Sequence, residues 1–204
     1  MMSESESLIA EFDANLSKAS STQQLTVLRR VTDLFLDRAE TYSNEHVAVF
    51  DDVIGWLVNK IEKVERPALA ELSGRLAPVD NAPVNVIDRL ARHEDIAISG
   101  PVLQKSNVVT DQALAEVAGA KSERHLAAIA GRPLISESVT DVLVGRCTPE
   151  TARKVTDNKG ACLSEISFVK LINRAKSDKA LAAAIESRAD LPPELQPFLK
   201  LSLP

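Results

Sequence analysis

The chain has 204 residues, 45% hydrophobic and 26% charged, with a formal net charge of −5. These are ordinary globular values, enough to bury one large core or two small ones. Two cysteines, Cys147 and Cys162, exclude a disulfide framework or a cysteine-based zinc site, and no stretch approaches the ~18 consecutive apolar residues that span a bilayer.

Aromatic residues make up only 3% of the chain. The core must therefore be Leu, Ile, Val and Ala, which suits closely packed helices better than aromatic-rich strands. The charge is uneven: residues 1–64 hold 11 acidic and 6 basic residues, and residues 65–204 hold 18 of each. The acidic first part repels nucleic acid and anionic lipid. The start, MMSESESLIAEFD, is acidic where a secretion signal is basic, so the expected location is the cytoplasm.

Residues 1–64 lack proline and contain a single glycine, Gly55. Leu8, Phe12 and Leu16 recur every four residues and predict a first helix over Ser5–Ala19. Ser21-Thr22 reads as the cap of a second, with Leu25, Leu28, Val31 and Leu34/Phe35 as its apolar stripe. Tyr42-Ser43-Asn44 breaks it. A third helix follows to about Val64, with Val49, Val53, Trp56, Leu57 and Ile61 on its apolar side. Val47, Phe50, Ile54 and Val58 widen that stripe, as in a helix packed between neighbours.

Near residue 65 the composition changes. All ten prolines and six of the seven glycines lie from Pro67 onward. Shorter helices are predicted at about Arg66–Ala77, Pro83–His93, Glu94–Gln104, Thr110–Ala118, Ser122–Ala130 and Ser136–Val144. They continue at Pro149–Asp157, Ser164–Ala175, Asp178–Ser187 and Pro193–Leu201, ending in Gly, Asn or Pro breaks.

The turns repeat. Leu103, Ile129, Val155 and Ile185 each end a helix, 26, 26 and 30 residues apart. Thr110, Ser136, Ser164 and Pro192 each open the next, at intervals of 26, 28 and 28. A period near 27 holding two short helices is the pattern of a helical solenoid, because a ten-residue helix is marginal alone and must stack on neighbours. The expected fold is all-α: a right-handed α-α superhelix of ARM/HEAT-like repeats over residues 65–204, capped by an acidic helical region at 1–64.

Several ordered motifs carry a resemblance. Arg66-Pro67-Ala68-Leu69-Ala70, Asn81-Ala82-Pro83 and Ile98-Ser99-Gly100-Pro101-Val102-Leu103 are three of them. His125-Leu126-Ala127-Ala128-Ile129-Ala130 and Arg188-Ala189-Asp190-Leu191-Pro192 are two more. Over roughly residues 40–195 the chain resembles a bacterial domain-of-unknown-function family whose helical repeats are akin to HEAT, armadillo and leucine-rich-repeat-variant solenoids. The segment Cys147–Cys162 departs most, its turn at Asn158-Lys159-Gly160 being longer than its neighbours. The resemblance implies an ARM-like fold and no known reaction.

Signals for chemistry are sparse. His93-Glu94-Asp95 is one His-Glu dipeptide, where a metal needs three or more convergent ligands, so no metal or cofactor is expected. Cys147 and Cys162 have no assigned partner to activate a thiol, and no phosphate-binding or nucleophile-elbow motif occurs. No catalytic residue is named. The one repeated feature is a basic residue at or near each turn: Arg75, Lys105, Arg132, Lys159 and Arg188. Aligned in a solenoid they would form a ridge for an acidic peptide, phosphate or nucleic-acid backbone; scattered, they are solvated charges or caps on helix carbonyls. The expected function is a non-catalytic module that binds another protein or a helical peptide, with a homodimer through residues 1–64 as a further expectation. Binding of phosphate or nucleic acid through the basic turns is the alternative, and an enzyme of unknown type comes third.

Overall fold

The structure, a computed structural model, describes residues 19–61 and 66–202. The expected helix over Ser5–Ala19, the acidic Ser3–Ser7 tail and the end of the third helix near Val64 fall wholly or largely outside them. The described chain is all-helical, and no helix among the described residues is long and apolar enough to cross a membrane.

In order the helices are α1 (Ser21–Asp37), α2 (Asn44–Ile61), α3 (Arg66–Leu76), α4 (Val84–Ala91), α5 (Ile96–Lys105) and α6 (Asp111–Ala120). Then come α7 (Glu123–Ile129), α8 (Glu137–Arg146), α9 (Pro149–Asp157), α10 (Glu165–Ala175), α11 (Lys179–Glu186) and α12 (Gln196–Ser202). Short 3₁₀ turns sit at Ala39–Thr41 and Pro193–Leu195. The second of these opens the helix expected at Pro193, where two prolines deny the first turn its N–H groups.

Capping explains most of these starts. Ser20, not Ser21, caps α1 through a capping box with Gln23. Thr110, Thr148, Ser164 and Asp178 each accept a backbone N–H three residues on. The helix ends are less conventional. No described residue, glycine included, has a positive φ. The chain leaves α5, α6, α8 and α9 through extended residues at Ser106, Lys121, Cys147 and Asn158 instead.

The described residues fall into two compact units. The first comprises residues 19–61, 66–102 and 106–109. Within it α1 packs on α2 and α3, and α4 packs on α2 and α3. The change of composition near residue 65 thus lies inside this unit. On α1 the core takes Leu28, Thr32 and Phe35, while Leu34 is 61% exposed. On α2 the core takes Ile54, Leu57, Val58 and Ile61, leaving Val49 exposed and Val53 and Trp56 half-buried. The stripe that only widened the apolar side in the sequence supplies much of the packed face. Phe35, Tyr42 and Phe50 stack at its end, with centroids 5.1–6.0 Å apart.

One polar residue joins this core. Asp51 is buried, and its two carboxylate oxygens accept the backbone N–H groups of Asn85 and Val86 at 2.9 Å each. Helix α4 begins after Pro83, which has no capping side chain. Asp51 supplies that cap from another helix, placing negative charge at the positive end of the α4 dipole.

The second unit comprises residues 103–105 and 110–202. Helices α6, α8, α10 and α12 pack successively in one row. Helices α7, α9 and α11 pack successively in another, and α6–α7, α8–α9 and α10–α11 join the rows. The core between them is aliphatic, with Phe168 its one large aromatic.

Candidate functional site

The sequence singled out the turns, and the turns are where polar chemistry gathers in the second unit. Arg132 is buried and donates to Leu103 O at 2.7 Å. Arg188 is buried too, and its guanidinium donates to Thr156 O, Asn158 O and Ala161 O at 2.7–3.0 Å while pairing with Asp190 at 2.6 Å. Both arginines reach back 27–32 residues and satisfy carbonyls at a helix end or in the turn just beyond it. Lys159 is exposed and donates to Ser187 O and Oγ. The structure brings Lys159 and Arg188 to one pair of turns, the arginine facing inward. Lys105 is exposed at the end of α5. Arg75, in the first unit, pairs with Asp33 at 2.5 Å.

The same device recurs at residues that sequence reasoning passed over. Arg146 donates to Ala118 O, and Arg174 donates to Val144 O and Cys147 O. Lys154 donates to Ala127 O at 2.7 Å. Asn158 donates to Ala130 O and Arg132 O at 3.2 and 2.7 Å. Each donor lies about one repeat beyond its acceptor. The signal was present in the spacing: Arg146 and Arg174 are 28 apart at the ends of α8 and α10.

The long third turn is the densest of these joints. Ile135 and Ala161 form a parallel bridge, with Ile135 N donating to Gly160 O at 3.0 Å and Cys162 N to Ile135 O at 2.9 Å. Thr140 Oγ1 donates to Cys162 O. The backbone runs so close that a Cβ on Gly160 would lie 1.9 Å from Pro133 O. The extra residues that set this turn apart are the ones that reach the preceding turn.

A second polar cluster links helix starts. Glu123 accepts from Thr148 N and Thr148 Oγ1 at 3.1 and 2.6 Å. Burial pushes the Glu123 carboxyl up, but hydrogen bonds from Thr148 and Thr151 and the charge of Arg174 outweigh it and hold the carboxyl below its ordinary value. Burial pushes the Cys147 thiol up; Arg174, 3.6 Å from the sulfur, offsets this only in part. A thiol held protonated is a poor nucleophile. Cys162 is exposed, and neither cysteine is in a disulfide.

The histidines are absorbed locally. His125 is buried with its Nδ1 2.8 Å from Ser122 Oγ. His93 Nδ1 accepts the N–H of Asp95, and Asp95 caps α5. Among the described residues no group of His, Cys, Asp and Glu is placed to hold a metal ion.

Open grooves lie among the described residues of the first unit. One, about 670 Å³, runs past Asp37, Arg38, Glu40, Asp80 and Asn81. One of about 540 Å³ follows α4 and the segment after it, one of about 320 Å³ runs along α2 and α4, and the two share Asn85 and Arg89 in their walls.

Residues 98–197 match the model of a family described as an uncharacterised protein conserved in bacteria (DUF2336). No curated protein and no solved structure matches the chain.

Proposed function

We propose that this chain, a member of that bacterial family over residues 98–197, is a non-catalytic protein-interaction module. Its second unit we read as a right-handed α-α superhelix of ARM/HEAT type. Two packed rows of short helices and donors bonded to carbonyls about 28 residues back support that reading.

One observation carries the binding role. Ile166 and Val169 on α10 are 63% and 44% exposed, and Phe198 and Leu201 on the neighbouring α12 are 59% and 83% exposed. Each pair is spaced by three residues and so shares a helix face. Exposed large apolar side chains on two neighbouring helices support a protein-binding surface. The alternative, an anion-binding basic ridge, needs cations turned to solvent. Arg132 and Arg188 instead donate to main-chain carbonyls, which favours the protein reading.

Exposed Leu34 and Val49 support a homodimer face within residues 1–64, and two cysteines outside any disulfide suit a reducing compartment such as the cytoplasm. The test is affinity capture from the native cell with wild type and the variant Ile166→Glu/Val169→Glu, followed by titration of each recovered protein. A partner that binds wild type and loses about tenfold or more on the variant supports the surface. Partners that bind both equally would sink it.

A further inference from the structure

The 320 Å³ groove along α2 and α4 carries chemistry that the fold does not use. Trp56 is the chain's single tryptophan. It stays half-buried in the wall of the 320 Å³ groove, on a helix whose Ile54, Leu57 and Val58 are buried. The Lys60 ammonium lies 5.2 Å from the ring centroid, a cation–π distance. One turn before the ring, Asp52 is exposed in the same wall and makes no hydrogen bond or ion pair among the described residues. Asp52, Trp56 and Lys60 are thus three successive rungs of one helical stripe.

The other charged groups lining this groove, Asp51 and Arg89, are engaged. Asp51 caps α4. Arg89 donates to Asn59 Oδ1, and Arg92 Nε donates to both oxygens of Asp88 at 2.9–3.0 Å. A ring that already accepts a cation, beside a carboxylate without one, suits a positively charged side chain better than an anion. Tryptophan is also among the residue types enriched as interface anchors.

We infer that this groove receives an arginine or lysine side chain from a partner polypeptide, its charge on Asp52 and its stem or guanidinium over Trp56. Lys60 is the intramolecular stand-in for that cation. The inference rests on the interaction-module reading but uses residues of the first unit rather than the second, so the two fail separately. Loss of every α10 partner would leave the groove standing, and a silent groove would leave the α10 surface untouched.

The experiment titrates the full chain with an acetylated tetra-arginine peptide and, separately, a tetra-glutamate peptide, following Trp56 emission and the heat of binding. The arginine peptide should shift the emission and the glutamate peptide should not. Asp52→Asn should weaken binding about fivefold, the ~1 kcal/mol of an exposed charge contact, and Asp52→Glu should retain it. Lys60→Ala should bind more tightly than wild type, whereas Lys200→Ala, which removes the same charge from α12, should not. An unchanged emission, an equal response to the glutamate peptide, equal affinity of Asp52→Asn and wild type, loss of binding in Asp52→Glu, or identical behaviour of the two lysine variants would overturn the inference.

Discussion

Two glycines with the same residue type have opposite physical roles. At Gly160 an added Cβ would sit 1.9 Å from Pro133 O, and neither backbone can yield without opening the Ile135–Ala161 bridge. Gly160→Ala should therefore cost stability at the upper end of overpacking, roughly 3 kcal/mol. At Gly119, in α6, the Cβ meets nothing within 4 Å and the φ is not positive. Gly119→Ala should stabilise by roughly 0.5–1 kcal/mol, since alanine gives up less chain entropy in a helix. Urea midpoints of both variants against wild type check the pair. Asp51→Ala is the third such test. It strands two helix-start N–H groups, one of them buried, and should cost roughly 1–3 kcal/mol. None of these roles was legible in the sequence. Gly160 read only as part of a longer turn, and nothing in the sequence singles out Asp51, because the atoms that decide each role lie 27 and 34 residues away.

The helices themselves were legible, because their signals are local. Pro149–Asp157 was expected and is α9, with Thr148 capping it. Elsewhere the expected starts tended to include the cap, as at Thr110, Ser136 and Ser164, so the helix proper begins one residue later. What could not be read was how successive pairs of helices are joined. A basic residue near a turn has the same sequence signature whether it faces solvent or donates to a carbonyl one repeat earlier. Arg188 shows the difference in energy. Its guanidinium satisfies three carbonyls and Asp190, and only a planar fork of donors does all of this at once. Arg188→Lys keeps the charge but not the fork, so it should destabilise by roughly 2–3 kcal/mol. Hydrogen exchange should then speed up at the end of α9 as well as beyond α11. Faster exchange confined to residues after Arg188 would mean that the staple does not hold the earlier helix.

At the scale of the molecule, composition and packing draw different lines. The sequence changes character near residue 65, yet α1 and α2 share a unit with α3 and α4, because apolar faces pair across a compositional break. Net charge, likewise, does not locate the carboxylates that matter for stability. Two of those with lowered pKa values lie in the second unit. Glu123 is held below its ordinary 4.5 by the balance of burial, Thr148, Thr151 and Arg174. Asp190 is held below 3.8, chiefly by the hydrogen bonds from Arg188. A carboxyl whose folded pKa is depressed binds protons less readily folded than unfolded. Its stabilisation is therefore complete above the unfolded value and drains away as pH falls through the folded one. The urea midpoint should hold steady near neutrality and fall below about pH 5, most steeply between about pH 4.5 and 3. Glu123→Gln removes one of the two groups. It should be less stable than wild type at pH 7, show a shallower decline, and approach the wild-type curve at the acid end. Circular dichroism at constant ionic strength measures both curves. A Glu123→Gln curve running parallel to wild type down to pH 3 would mean that the acid sensitivity arises elsewhere, and that the carboxylate joining α7 to the start of α9 contributes packing alone.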